Sequence, residues 1–148
     1  MMPGPICALR DAQPQWDEAR AESKRQGSAV LVVEDDPVVS KLIDHVLTRR
    51  GFAVTLAFDG RQARAIVEAS APPAVIVLDV MLPFVDGFEL VASVREQPGW
   101  AKVPILMLTS KSHENYVIRA FGAGVDDYVV KPFRPEELAA RVKRLAGS

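Results

Sequence analysis

Histidine and cysteine are almost missing from this chain: two of the first and one of the second in 148 residues. A single cysteine, Cys7, excludes an internal disulfide framework and suits a reducing compartment. His45 and His113 have no histidine or cysteine partner at zinc-ligand spacing, so both read as solvated or locally bonded side chains. No apolar run reaches the ~18 residues of a spanning helix. The N-terminal MMPGPICALRDAQ lacks the sustained apolar core of a signal peptide. An excess of one charge is missing too: the formal charge is −1, which removes any compositional case for nucleic acid or an anionic membrane. Trp16 and Trp100 stand outside any aromatic pattern for stacking bases. What remains is a soluble chain, expected in the cytoplasm. Its 49% apolar content is enough to bury one core, so a single domain is the simplest expectation.

Residues 1–27 differ from the rest. They hold Pro3, Pro5 and Pro14, then the charged stretch Asp17–Gln26, with few apolar anchors, and read as a mobile extension. From Ser28 to about 146, short apolar runs alternate with helical patterns, the mark of repeated βα units. Strands are expected at Ala29–Val33, Ala53–Ala57, Ala74–Leu78, Pro104–Leu108 and Tyr128–Val130. Asp36-Pro37, Asp59-Gly60 and Asp86-Gly87 read as helix starts, and Gly51 and Pro98-Gly99 as stops. In the first helix, Val38, Val39, Leu42, Ile43, Val46 and Leu47 follow at helical spacing. The fourth helix is expected to run from near Ser112 to Gly122–Gly124. In the last, starting at Pro135, Leu138, Ala139, Val142 and Leu145 form the buried stripe. Right-handed crossovers fold such a chain into a doubly wound α/β domain, a parallel five-stranded sheet of (βα)5 type with helices on both faces.

In an open parallel sheet, chemistry gathers at the carboxyl ends of the strands. Glu34 and Asp35, Asp79, Thr109 and Lys131 sit at four such ends. Three carboxylates, a hydroxyl and an amine there describe a site for a divalent cation and a phosphoryl group. Clustered carboxylates raise one another's pKa, and a hard cation relieves the repulsion; oxygen-only ligands with room for water suit Mg2+. Asp36 reads as the cap of the following helix. Asp79 comes too early to cap the helix opening at Asp86-Gly87, so its carboxylate is free to accept a phosphoryl group as an acyl phosphate. Thr109 alone reads equally well as a helix cap, and a lone Lys131 as a solvated charge. Their company at one sheet edge favours the functional reading.

VLVVEDDP, VLDVMLPFVDG, PILMLTS and GVDDYVVKPF, in this order, resemble the receiver domain of bacterial two-component response regulators over about Ala29–Leu145. The resemblance implies a flavodoxin-like fold with strand order 2-1-3-4-5. It makes Asp79 the phosphoacceptor, with Asp35 a direct Mg2+ ligand, Glu34 acting through water and the Met81 backbone carbonyl a further ligand. Thr109 would bond the phosphoryl oxygen, Lys131 would pair with it, and the Lys131–Pro132 bond would be cis. Tyr128 matches the aromatic switch position, although a packed strand aromatic is the plainer reading of such a residue. The implied partners are a histidine kinase or histidine phosphotransfer protein and a downstream protein target. Asp126, Asp127, Glu137 and Arg141 resemble the dimer face of the winged-helix subfamily. Val117 stands where a basic partner of the glutamate is expected, so a monomer or weak dimer is expected.

A Mg2+-dependent aspartyl-phosphate hydrolase is a second reading, but such enzymes carry an aspartate two residues after the nucleophile, where this chain has Met81. An FMN-binding flavodoxin would need a hydroxyl-rich phosphate cradle that no loop offers. A receiver that docks without phosphorylation is a third reading, against which all the site residues are present. The chain is thus expected to be a signalling switch that catalyses only its own phosphorylation and dephosphorylation. Three residues follow Leu145, so no output domain is expected within it, either as a stand-alone receiver or as part of a longer regulator.

Overall fold

The computed structural model describes residues 29–110 and 114–147, and within 114–117 the backbone alone. The expected extension over 1–27 with Cys7 and Trp16, the helix start at Ser112, His113 and the side chain of Val117 lie outside that description. The elements alternate: β1 Ala29–Val33, α1 Pro37–Arg49, β2 Ala53–Ala57, α2 Gly60–Ala69, β3 Val75–Asp79, α3 Gly87–Glu96, β4 Ile105–Thr109, α4 Glu114–Gly122, β5 Asp127–Val130 and α5 Pro135–Leu145. The five strands are parallel, in the order β2-β1-β3-β4-β5.

The apolar composition of the three central strands follows from their position. β1, β3 and β4 are buried throughout, because helices cover both faces, whereas the edge strand β2 is only half-buried over Ala53–Leu56. Side chains alternate between faces. Leu31, Val33, Ile76 and Leu78 meet Ala63 and Val67 of α2, Leu90, Val91 and Val94 of α3 and Ala120 of α4. Val30, Val32, Val75 and Val77 meet Ile43 and Leu47 of α1 and Leu138, Ala139 and Val142 of α5.

Each aspartate read as a helix start is one. Asp36 accepts from the Val38 and Val39 amides at 2.9 and 3.4 Å, and Asp59 from the Gln62 amide at 2.8 Å. Asp86 accepts from Phe88, and Glu89 reaches back to the Asp86 amide, closing a capping box. Gly51, at φ 92°, takes the left-handed turn that ends α1.

Two expectations need correction. Val38 and Leu42 do not face the core: they are 75% and 40% exposed, and the inward stripe of α1 runs through Ser40, Ile43 and Leu47 with Val39 and Val46 at its margin. The strands β3 and β4 also lie one residue further along than their apolar runs suggest. Both continue into a polar residue, because the parallel ladder still pairs Asp79 with Leu108 and Thr109 with Val130. β5 likewise begins one residue early, at the buried Asp127. These ladders set the site.

Candidate functional site

Glu34 follows Val33, which is paired with Leu78, so Glu34 and Asp79 emerge side by side from the two central strands. Thr109 ends the next strand, and its carbonyl accepts the Lys131 amide at 2.6 Å, fixing where the β5–α5 turn begins. The Lys131–Pro132 bond is cis. The ammonium of Lys131 lies 2.8 Å from Asp79 Oδ2 and 2.8 Å from Glu34 Oε1. Asp79 Oδ1 accepts the amide of Met81 at 3.0 Å, so both acceptor oxygens have fixed directions.

Glu34 is fully buried, an unusual place for a carboxylate. Its Oε2 accepts the Asp36 amide at 3.0 Å. Its Oε1 is close to Lys131 but off the line a hydrogen bond needs, and no other donor among the described residues reaches it. Burial pushes the Glu34 carboxyl up to about 7; the adjacent Asp79 charge adds to this, and the Lys131 ammonium and Asp36 amide only partly oppose it. For Lys131, burial alone would lower the pKa, but its hydrogen bond to Asp79 and the close charges of Asp79 and Glu34 together outweigh this and hold it above the ordinary value.

One oxygen each of Glu34, Asp35 and Asp79 lie within 4.8 Å of one another, Asp35 exposed and the other two buried. An underbonded buried oxygen within an all-carboxylate set fits a hard divalent cation, with Asp35 open to solvent for its remaining waters. Asp36 is not in this set; its carboxylate is spent on the α1 amides.

Beside the cluster, a groove of about 490 Å³ runs between the β3–α3 loop and α4, lined among others by Asp35, Val80, Met81, Phe84, Asp86 and Arg119. Phe84 turns this loop with φ 73°, and the Arg61 guanidinium lies 3.9 Å over its ring. On the α4 side, Arg119 lies 4.0 Å over the ring of Phe88. Neither arginine stands out in the sequence, since Arg119 falls within the apolar-patterned VIRAF of an ordinary helix.

Tyr128 pairs in register with Met107, on the sheet face that also carries Thr109. It is half-buried against the core, with its ring edge-on to Phe121 at 6.0 Å. The four charges of the implied dimer face are occupied within the chain. Arg141 bonds Asp127 at 2.8 and 3.0 Å and Glu137 at 3.1 Å, and Arg144 also bonds Asp127. Asp126 accepts Arg95 and the Ile105 amide.

Five parallel strands in the order β2-β1-β3-β4-β5, with acidic, hydroxyl and lysine side chains gathered at their carboxyl ends, make this a doubly wound α/β domain with a candidate site at one sheet edge. Residues 30–143 match the family model of the response regulator receiver domain. The chain is 43% identical over 127 residues to the transcriptional regulatory protein TcrA of Mycobacterium tuberculosis, covering 86% of this chain and 49% of that protein. Its structure resembles the chemotaxis response regulator CheY4 of Vibrio cholerae, with a TM-score of 0.76 and 35% identity over 80% of this chain and 98% of that one. The receiver domain of the sensor histidine kinase PA1611 of Pseudomonas aeruginosa is similar too, with a TM-score of 0.75 and 35% identity over 82% and 99% of the two chains. That structure has a magnesium ion coordinated in its active site cleft. The chain belongs to the response regulator receiver domain family. It spans about half the length of the curated relatives it matches. Among the described residues, no helix is long and apolar enough to cross a membrane.

Proposed function

We propose that this receiver is a phosphoryl-operated switch with Asp79 as acceptor, fed by a histidine kinase or histidine phosphotransfer protein and read by a downstream protein. The observation that carries the reading is the pairing of Asp79 with Lys131 beside the underbonded Glu34. An oxygen of Asp79 attacks the donor's phosphorus; the new O–P bond forms as the bond to the leaving group breaks and its electron pair departs with that group. Mg2+ bound at Glu34, Asp35 and Asp79, with the Met81 carbonyl, would neutralise charge on the phosphoryl oxygens. Lys131 would pair with the acyl phosphate, which its 2.8 Å contact with Asp79 supports, and Thr109, at the next strand end, would bond it. Drawing Thr109 towards the phosphoryl group opens space on its own sheet face, which the half-buried Tyr128 ring can fill. Tyr128 moves against Phe121 of α4, so the partner-binding face around α4, β5 and α5 changes. The coupling needed is ~1–3 kcal/mol. With Asp127, Glu137 and Arg141 paired internally, we expect a monomer or weak dimer.

Acetyl phosphate with Mg2+ should give one phosphoryl adduct by mass spectrometry in wild type and none in Asp79→Asn. Beryllofluoride, a mimic of the acyl phosphate, should shift NMR signals at Tyr128 and along α4 in wild type only. Equal adducts in both proteins would remove Asp79 as acceptor; shifts confined to the acidic pocket would remove the switch.

The two neighbouring aspartates separate by role. Asp35→Ala should abolish Mg2+ binding in an NMR titration. Asp36→Ala should cost about 1 kcal/mol of stability through the lost cap and leave Mg2+ binding close to wild type. A larger Mg2+ loss for Asp36→Ala would mean that the roles in the acidic loop are reversed.

A further inference from the structure

The groove beside the acidic cluster presents a problem to the reaction proposed above. Asp35 and Asp86 line it, and an oxygen of Asp35 lies within 4.8 Å of oxygens of Glu34 and Asp79. A phosphoryl donor is itself an anion; Mg2+ would offset part of the charge of Glu34, Asp35 and Asp79, but Asp86, outside that set, still lines the way. Lys131 does not answer this at the entrance, because its ammonium is held at the floor between Glu34 and Asp79, at 2.8 Å from each.

Among the described residues that line the groove, Arg119 is the cation. It is exposed, and among the described residues no carboxylate lies within ion-pair distance of its guanidinium. The facing acid, Asp86, is engaged as the cap of α3, its Oδ1 accepting the Phe88 amide at 2.8 Å. The Arg119 guanidinium carbon lies 4.0 Å over the centre of the Phe88 ring, a cation–π contact that uses none of its five N–H donors on a hydrogen-bond acceptor. The ring is itself anchored to the acceptor strand. Phe88 follows Gly87, whose amide bonds the Val80 carbonyl at 3.0 Å and where a Cβ would come within 2.6 Å of the Asp79 carbonyl oxygen. Arg119 thus contacts a residue that directly follows Gly87, which packs against the Asp79–Val80 backbone.

We infer that Arg119 draws the donor's phosphoryl anion into the acceptor groove, as a positioning residue for phosphoryl uptake. This rests on Asp79 being the acceptor. The chemistry recognised is the phosphoryl group, whether carried by a small acyl phosphate or by a phosphohistidine.

A charge acting across the groove affects two ligands in opposite directions: it attracts the phosphoryl anion and repels Mg2+. A role in packing α4 would weaken both together. In the full chain at low ionic strength, Arg119→Gln should lower the second-order rate of phosphorylation by acetyl phosphate about threefold or more, mainly through the half-saturating concentration. It should also tighten Mg2+ binding by about twofold in an NMR titration. Both differences should fade in ~1 M salt, where screening is complete within ~3 Å. Arg119→Lys should restore most of the rate. Phosphoramidate, with less net negative charge, should show a smaller loss. An equal loss in transfer from a phosphohistidine protein extends the role to both donors; a loss with acetyl phosphate alone assigns it to small acyl phosphates. An unchanged low-salt rate, a loss that survives 1 M salt, or weakened Mg2+ binding alongside slower uptake would overturn the inference. Wild type and Asp79→Asn run in parallel keep the two ideas apart. If wild type takes no phosphoryl group at Asp79, the acceptor reading falls; if it does and Arg119→Gln matches it, only the role of Arg119 falls.

Discussion

Lys131→Met should lose about 3 kcal/mol of stability at pH 8 without Mg2+, and most of that loss should disappear on adding Mg2+ or on acidification. Methionine keeps most of the apolar stem, one atom shorter, and removes the ammonium with its charge and its hydrogen bond to Asp79. Glu34 and Asp79 then stand as two buried carboxylates with no cation between them, and removing one partner of a buried ion pair typically costs ~3–5 kcal/mol. The pH dependence follows from Glu34. Its folded pKa, about 7, is above the ordinary 4.5, so the folded state binds this proton more tightly than the unfolded chain. Its contribution is therefore fully present below 4.5 and is lost as pH rises through about 7, a change on the order of 3 kcal/mol in the wild type. Without Lys131 the carboxyl is held still higher, so the penalty falls mainly above neutrality and a proton or a cation can offset it. Urea unfolding at pH 5.5 and pH 8, each with and without Mg2+, measures all four corners. A loss of equal size in all four would show that Lys131 contributes packing alone.

How much of this was legible in the sequence depended on whether a signal was local. The strand cores, the three aspartate caps and the edge residues Glu34, Asp79, Thr109 and Lys131 could be read, because apolar runs and capping chemistry are written in consecutive residues. Strand ends were legible to within one residue. A ladder stops where its neighbour stops, and β3 and β4 each carry the other's pairing into a polar residue that hydropathy alone excludes. Six apolar residues at helical spacing cover more of α1 than the sheet can bury, so Val38 and Leu42 lie outside the core.

Features made by distant residues were not legible. Arg95 looks like an ordinary basic residue near the end of a helix. Its guanidinium in fact bonds the Gly124, Val103 and Ala101 carbonyls and Asp126, tying α3 to the loops that lead into β4 and β5. The dimer-face charges are similar: spacing suggests that they are exposed, but only coordinates show Arg141 and Arg144 folded back on Asp127. Arg119 belongs to this group as well, because its meaning depends on Phe88, which lies thirty-one positions earlier in the chain, and on a groove made by a third segment.

Gly87→Ala should be among the most damaging single-methyl additions to this domain, and it should act on the site as well as the fold. Gly87 has no left-handed φ to explain it; the reason is space. A Cβ there would lie 2.6 Å from the Asp79 carbonyl oxygen, 2.7 Å from Val80 Cα and 2.9 Å from the Val80 carbonyl oxygen. All three are backbone atoms of the Asp79–Val80 segment, so no side-chain rotation relieves the clash. Either α3 lifts from the sheet or the Asp79–Val80 segment moves. Overpacking of this kind costs ~1–3 kcal/mol where side chains can yield, and an all-backbone clash belongs at or above the top of that range. Lifting α3 would also break the 3.0 Å bond from the Gly87 amide to the Val80 carbonyl and turn the Asp79 carboxylate away from Glu34 and Lys131. Gly60→Ala provides the contrast. Its Cβ would meet Val85, 2.4 Å from that side chain's Cβ, so it too should destabilise, but through the loop beyond the acceptor and not through Asp79 itself. Urea unfolding and Mg2+ titration on both variants test the difference: Gly87→Ala should lose stability and Mg2+ affinity together, whereas Gly60→Ala should lose stability with Mg2+ affinity largely kept. Wild-type Mg2+ affinity in a folded Gly87→Ala protein would show that the acceptor segment does not depend on this close approach.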